Sequence, residues 1–188
     1  MMLENMILEN VKNMPPSGIR KYFDMVHEME GVISLGVGEP DFVTPWNVRE
    51  AGIYSLEKGH THYSSNAGFL ELRYEISRYL YRRFNLSYHP ENEILVTVGG
   101  SEGIDLALRA LVGPGDEVII PEPSFVAYKG CTTFTGATPK VIELKAENEF
   151  KLTKEELLEA ITPKTKVLIM PFPNNPTGAI MTKEELQE

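Results

Sequence analysis

Cysteine is almost missing: Cys131 is the one thiol in 188 residues. An internal disulfide is therefore excluded, and nothing near Cys131 resembles a metal cluster or a Cys/His nucleophile. A reducing compartment is the expectation. Basic charge is also scarce, with 18 Lys and Arg against 27 Asp and Glu for a net charge of -9. That balance argues against nucleic acid or an anionic membrane surface as the main partner. Any anion bound here must be held by local geometry. Long apolar runs are absent, since no stretch approaches the roughly 18 residues that would span a bilayer. The opening Met1-Met2-Leu3-Glu4-Asn5 carries an early acid and no basic region, so it does not read as a secretory signal. A cytoplasmic protein is expected. The four histidines, His27, His60, His62 and His89, share no ligand spacing, so no metal site is read.

What is present is an ordinary globular composition, 42% hydrophobic and 24% charged, with 15 Gly and 13 Pro. By area scaling, a body of this mass can bury about 70% of its unfolded surface, enough for one core. Apolar, β-branched runs recur at residues 94–98, 117–120, 140–144 and 166–170. The gaps between them leave room for one helix each, which predicts an α/β fold with a mostly parallel sheet covered on both faces. Upstream, Phe69, Leu72, Ile76 and Leu80 fall at three- and four-residue steps, predicting an amphipathic helix over 66–84 capped by Asn66. Thr153-Lys154-Glu155-Glu156 has capping-box spacing and starts another helix. Thr182-Lys183-Glu184-Glu185 repeats the pattern, so the chain is expected to end inside a helix.

In a parallel sheet, the loops leaving the carboxyl ends of the strands share one edge, where open α/β folds place their ligands. Three loops carry unusual chemistry. Gly99-Gly100-Ser101-Glu102-Gly103 opens the helix that continues through Ile104 and Arg109. Glycines allow close approach, and a helix start offers unpaired N–H groups and partial positive charge, which suits a phosphate. A tight strand-to-helix turn explains the segment equally well. Pro121-Glu122-Pro123-Ser124-Phe125 presents an aromatic ring where a flat ligand could stack, although such a ring alone is more often core. Pro171-Phe172-Pro173-Asn174-Asn175-Pro176-Thr177-Gly178 is stiffened by proline and sets the Asn175 amide at a defined spot, a donor that does not titrate. Phosphate cradle, aromatic plate and amide donor together describe a pocket for a phosphorylated aromatic cofactor.

Five ordered motifs carry a resemblance: Gly36-Val37-Gly38-Glu39-Pro40-Asp41-Phe42 with Thr44-Pro45, His62-Tyr63 followed by Gly68, Leu72-Arg73, Pro114-Gly115-Asp116-Glu117-Val118, and Asn174-Asn175-Pro176-Thr177-Gly178. In these the chain resembles the class I/II aminotransferases, fold-type-I enzymes dependent on pyridoxal 5'-phosphate. The resemblance implies a three-layer α/β/α large domain, here its N-terminal portion at 41–188, preceded by an arm and small-domain portion at 1–40. It implies that Gly100, Ser101 and Glu102 hold the cofactor phosphate, largely through backbone N–H groups, that Phe125 stacks on the pyridine ring, and that Asn175 hydrogen-bonds the ring's 3-oxygen. Tyr63 would reach the phosphate of the neighbouring subunit in a homodimer, and Gly38 would meet the substrate α-carboxylate. The Glu122-Pro123 and Asn175-Pro176 bonds resemble positions that are cis in relatives. An acidic side chain beside a phosphate is repelled, so the Glu102 carboxylate must point away.

The lysine that forms the internal aldimine, and the partners of the ring nitrogen and substrate carboxylate, fall beyond Glu188 in the family pattern. No catalytic residue is therefore assigned. Lys129, Lys166 and Lys183 read as solvated lysines, and the chain alone is expected to be inactive. The implied reaction of the complete enzyme moves an amino group from an amino acid to a 2-oxo acid. A C–S lyase of the same fold, or a non-catalytic folding or dimerisation piece, would share these motifs. A dinucleotide-binding module is excluded, because residues 99–103 lack the G-x-G-x-x-G spacing.

Overall fold

A computed structural model describes residues 6–15, 25, 31, 33, 38 and 40–188. Much of the expected arm, including most of the 36–39 motif and Pro16-Ser17-Gly18, lies outside them. The chain divides into two compact units, Met1–Pro16 with Val98–Glu188, and Ser17–Thr97.

The first unit holds the sheet. Its elements are α1 (Glu9–Lys12), α4 (Gly100–Leu111), β1 (Glu117–Glu122), α5 (Ala127–Phe134), β2 (Thr138–Glu143), α6 (Lys154–Ala160) and β3 (Thr165–Leu168). The strands are parallel in the order β2-β1-β3. Val118, Ile119 and Ile120 of β1 are fully buried, as a central strand with both faces covered requires. Because side chains alternate along a strand, Val118 and Ile120 join Leu108, Val112 and Ala137 under α4 and α5. Ile119 faces the other way, against Ile142, Leu144, Leu152 and Ala160 under α6. Helices on both faces make the three-layer α/β/α arrangement.

The crossovers explain which helix lies where. The connection from β1 to β2 steps one strand in one direction, whereas that from β2 to β3 returns past β1. Right-handed crossovers running in opposite directions put their helices on opposite faces. Accordingly α5 packs with Val118 and Ile120, and α6 with Ile119. The predicted capping box of α6 is formed: Glu156 N–H donates to Thr153 Oγ1 at 3.3 Å, and Thr153 N–H to Glu156 Oε2 at 3.1 Å.

Three sequence expectations need correction. The run at 94–98 is not a strand; Val96 N–H donates instead to Ala67 O at 3.1 Å. Gly68 explains why: at φ +91° it lies so close to Val96 that an added Cβ would stand 2.7 Å from the Val96 Cβ. The run therefore packs on a turn instead of entering the ladder. That same turn, closed by Gly68 N–H to Ser65 O at 2.9 Å, displaces the predicted Asn66 cap. The helix α3 spans Leu70–Phe84 and starts from Phe69 without a side-chain cap. Its buried residue is Arg73, whose Nη1 donates to Pro90 O and Glu91 O at 2.9 Å each, and not the apolar stripe. The Ser17–Thr97 unit, which holds α3, also contains α2 (Trp46–Glu57), which buries none of its residues. At the far end, Thr182 and Glu185 exchange both capping-box bonds, but residues 183–187 form a turn and not a helix. One turn adds too few bonds to propagate.

Two outcomes are expected. Ile120→Ala should lower the stability of the first unit by about 2–5 kcal/mol in urea unfolding, because it empties a closed site beneath α4 and α5. Asp116 immediately precedes β1 and gives a pH dependence. Gly113 N–H donates to its carboxylate at 2.9 Å, holding it below the ordinary carboxylate range, with burial opposing and Lys166 Nζ at 3.3 Å assisting. A carboxyl depressed on folding stabilises above its unfolded value and loses that contribution as pH falls through the folded one. Asp116→Asn should therefore melt below the parent at neutral pH, with the gap closing below about pH 4.

Candidate functional site

The sheet brings the second and third loops together. Since β1 and β3 are parallel neighbours, the segments after Glu122 and Leu168 leave the same edge. The ladder runs on through Ile169 N–H to Ile119 O at 3.0 Å. Beyond it, Asn174 Nδ2 reaches across to Pro123 O at 2.9 Å, tying loop to loop. The Glu122-Pro123 and Asn175-Pro176 bonds are cis, as is Phe172-Pro173. Phe125 is half-buried, with its ring edge-to-face on Tyr128 at a centroid distance of 5.8 Å. Asn175 is exposed, and its amide makes no hydrogen bond among the described residues.

The first loop is shorter than expected because the helix claims most of it. Gly99 is the N-cap at φ 81° and ψ 165°, a conformation essentially confined to glycine, and Gly100, Ser101 and Glu102 form the first turn of α4. The opening N–H groups of a helix have no carbonyl one turn earlier to bond, and they carry the positive end of its dipole. Gly100 and Ser101 are exposed, and the Ser101 hydroxyl has no partner among the described residues. The Glu102 carboxylate is turned back to accept from Val98 N–H. Its negative charge is thereby engaged on the helix's own entry. No strand precedes this turn, so its position comes from α4 itself, through Ile104, Leu108 and Val112 on the buried core.

Tyr63 and Gly38 belong to the Ser17–Thr97 unit. Tyr63 is fully exposed, and Gly38 is exposed with open space where a Cβ would stand. Lys166 is bound to Asp116 at the opposite, amino edge of the sheet, while Lys129 and Lys183 are exposed. Burial pushes the Cys131 thiol above its ordinary value. Among the described residues, no group of His, Cys, Asp or Glu could hold a metal ion, and no helix is long and apolar enough to cross a membrane.

Sequence reasoning passed over Asn174. It is 8% exposed, and its Nδ2 also donates to Thr177 Oγ1 at 2.9 Å. The signal available was the doubled Asn174-Asn175, in which one amide faces inward while the other faces out.

Comparison with known proteins agrees with the geometry. The pattern of the aminotransferase class I and II family matches residues 30–188. A putative aminotransferase, YugH, of Bacillus subtilis is 57% identical over 178 residues, covering 95% of this chain and 46% of that protein. Aromatic-amino-acid aminotransferase 2 of Thermococcus litoralis is 43% identical, over 92% of this chain and 44% of its own length. Among solved structures, aspartate aminotransferase from Thermus thermophilus with maleate superposes at a TM-score of 0.88 with 37% identity, over 96% of this chain and 48% of that one. The chain spans about half the length of the relatives it matches. Motifs, sheet and matches converge: the chain belongs to the class I and II aminotransferases.

Proposed function

We propose that this chain forms the cofactor-cradling part of a pyridoxal-phosphate-dependent enzyme that transfers an amino group from an amino acid to a 2-oxo acid. The observation that carries the reading is the opening turn of α4, exposed at Gly100 and Ser101 with the Glu102 carboxylate turned onto Val98 N–H. That donor set fits a phosphate monoester: Gly100 and Ser101 stand exposed at a helix start, the Ser101 hydroxyl has no partner among the described residues, and the Glu102 carboxylate is taken up by Val98 N–H. In a chain of net charge -9, such local geometry must overcome the general repulsion of anions.

Gly100, Ser101 and Glu102 bind the phosphate largely through their N–H groups in this reading, with the Ser101 hydroxyl as a further donor. Phe125 lies against the ring, with Tyr128 bracing its edge. Asn175 donates its amide hydrogen to the 3-oxygen, at any pH the protein tolerates, because an amide does not titrate. Tyr63, fully exposed on its own unit, reaches the phosphate held by a second subunit of a homodimer. Gly38 offers its main chain to the substrate carboxylate. When bound, pyridoxal phosphate supplies an aldehyde that condenses with amines and a ring that withdraws electrons from the α-carbon. Relatives are named for aromatic amino acids, aspartate and N-acetyl-LL-diaminopimelate, which supports an amino-acid substrate without selecting one. The chain by itself is read as binding the cofactor without turning it over, since Lys166 is held at the far edge and no other lysine has a place in the scheme.

Titrating the 188-residue chain with pyridoxal phosphate and with unphosphorylated pyridoxal tests this reading. Charge-assisted bonds to the phosphate should make the first bind at least about tenfold more tightly. Asn175→Ala should weaken both ligands and leave their ratio unchanged, whereas Ser101→Ala should narrow the ratio. Borohydride reduction should leave no lysine labelled stoichiometrically. Equal affinities for the two ligands would remove the phosphate cradle, and full labelling of one lysine would refute the expected inactivity.

A further inference from the structure

Asn174 has a buried side chain with no part in the scheme above. Its nitrogen makes two bonds, to Pro123 O in the loop after β1 and to Thr177 Oγ1 in its own loop, each at 2.9 Å. A carbonyl oxygen only accepts, so the amide must present its nitrogen to Pro123. The oxygen, Oδ1, is buried without a hydrogen-bond partner among the described residues. The main chain of the same residue closes the loop after β3, with Asn174 N–H donating to Ala179 O at 3.0 Å and Gly178 N–H donating to Asn174 O at 2.7 Å. Asn175 follows at once, and Phe125 lies two residues past Pro123.

We infer that Asn174 is a positioning residue, whose amide locks the loop carrying Asn175 onto the loop carrying Phe125 and so sets the donor against the ring plate. The inference rests on the cofactor reading for what these two residues do, but the lock itself can be observed without cofactor. An apolar residue of this shape would fill the same space and bury no unpaired oxygen, so what the amide adds is its donor. The cavity Asn174 lines is mainly apolar, with Pro121, Leu144, Phe150, Met170 and Phe172 beside a Lys151 paired to Glu149 and Glu185, and an apolar setting strengthens a hydrogen bond made in it. Each loop has its own local closure, Tyr128 N–H to Phe125 O at 3.1 Å in one and Gly178 N–H to Asn174 O in the other. Without the Asn174 donor, the loops would move independently.

Asn174→Asp keeps the shape and makes the donor pH-dependent. The ionised carboxylate cannot donate to Pro123 O, the protonated acid can, and burial shifts its titration upward. Amide hydrogen exchange on the full chain, expressed as protection over intrinsic rates, reads the result. At neutral pH the variant should lose about tenfold protection at both Gly178 and Tyr128. Near pH 5 both should recover, while the parent stays flat. Asn174→Leu, with no donor at any pH, should lose protection at both sites under both conditions. Parent-like protection in Asn174→Asp at neutral pH, or in Asn174→Leu, would overturn the inference, as would a loss confined to Gly178. Pyridoxal phosphate titration separates the two readings. If the parent fails to bind it while both amides respond, the lock stands and the cofactor reading falls; if the parent binds it while the amides are indifferent, the lock falls alone.

Discussion

Everything in the first unit depends on the burial of Val118, Ile119 and Ile120, consecutive residues that lose all contact with water on both faces of one strand. A strand so placed must have ladder partners on each side and a helical layer above and below, or its main-chain and side-chain demands go unmet. β2 and β3 supply the ladders, and α4, α5 and α6 the layers. The position of the candidate site follows. Once β1 and β3 are parallel neighbours, the proline-rich loops after them must emerge side by side, and Asn174 can bridge to Pro123.

The sheet was legible because its strands are short β-branched runs bounded by turns, a pattern that burial on two faces imposes directly. Three of four such runs entered the ladder. The run at 94–98 reads the same locally, yet the close approach of Gly68 to Val96 holds it elsewhere, and that contact depends on residues some thirty positions away. The helix α2 went unread for the opposite reason: Trp46, Val48, Ile53, Tyr54 and Leu56 gather on no single stripe, and none is buried. Capping was legible at Thr153, where Leu157 and Ala160 have a core to meet. At Thr182 the same reciprocal bonds form over the turn at 183–187.

The site was legible to a different depth. The family motifs mix residues that the fold itself holds with residues left exposed, and spacing alone does not separate them. Gly68 is required by a positive φ and a tight contact, Arg73 by the carbonyls of the 90–91 turn, and Asp116 by the Gly113 N–H and Lys166. Each is explained without a ligand. Ser101 and Asn175 are exposed polar residues, and neither finds a hydrogen-bond partner within the described structure.

That contrast is what favours a binding role for them. A polar side chain that the fold has no use for tolerates replacement, so a motif residue already satisfied internally is accounted for by folding. A rigid loop bearing an unsatisfied exposed donor is not accounted for in that way, because proline-fixed backbone and a buried amide tie do nothing for the outward-facing Asn175 itself. The order imposed on the loop after β3 has a use only if the direction of the Asn175 amide matters, and direction matters to a hydrogen bond far more than to solvation. At α4 the Glu102 side chain closes on the helix entry, while Gly100 and Ser101 of the first turn stay exposed. Gly100, Ser101 and Asn175 all stand exposed, in a chain whose net charge repels anions in general.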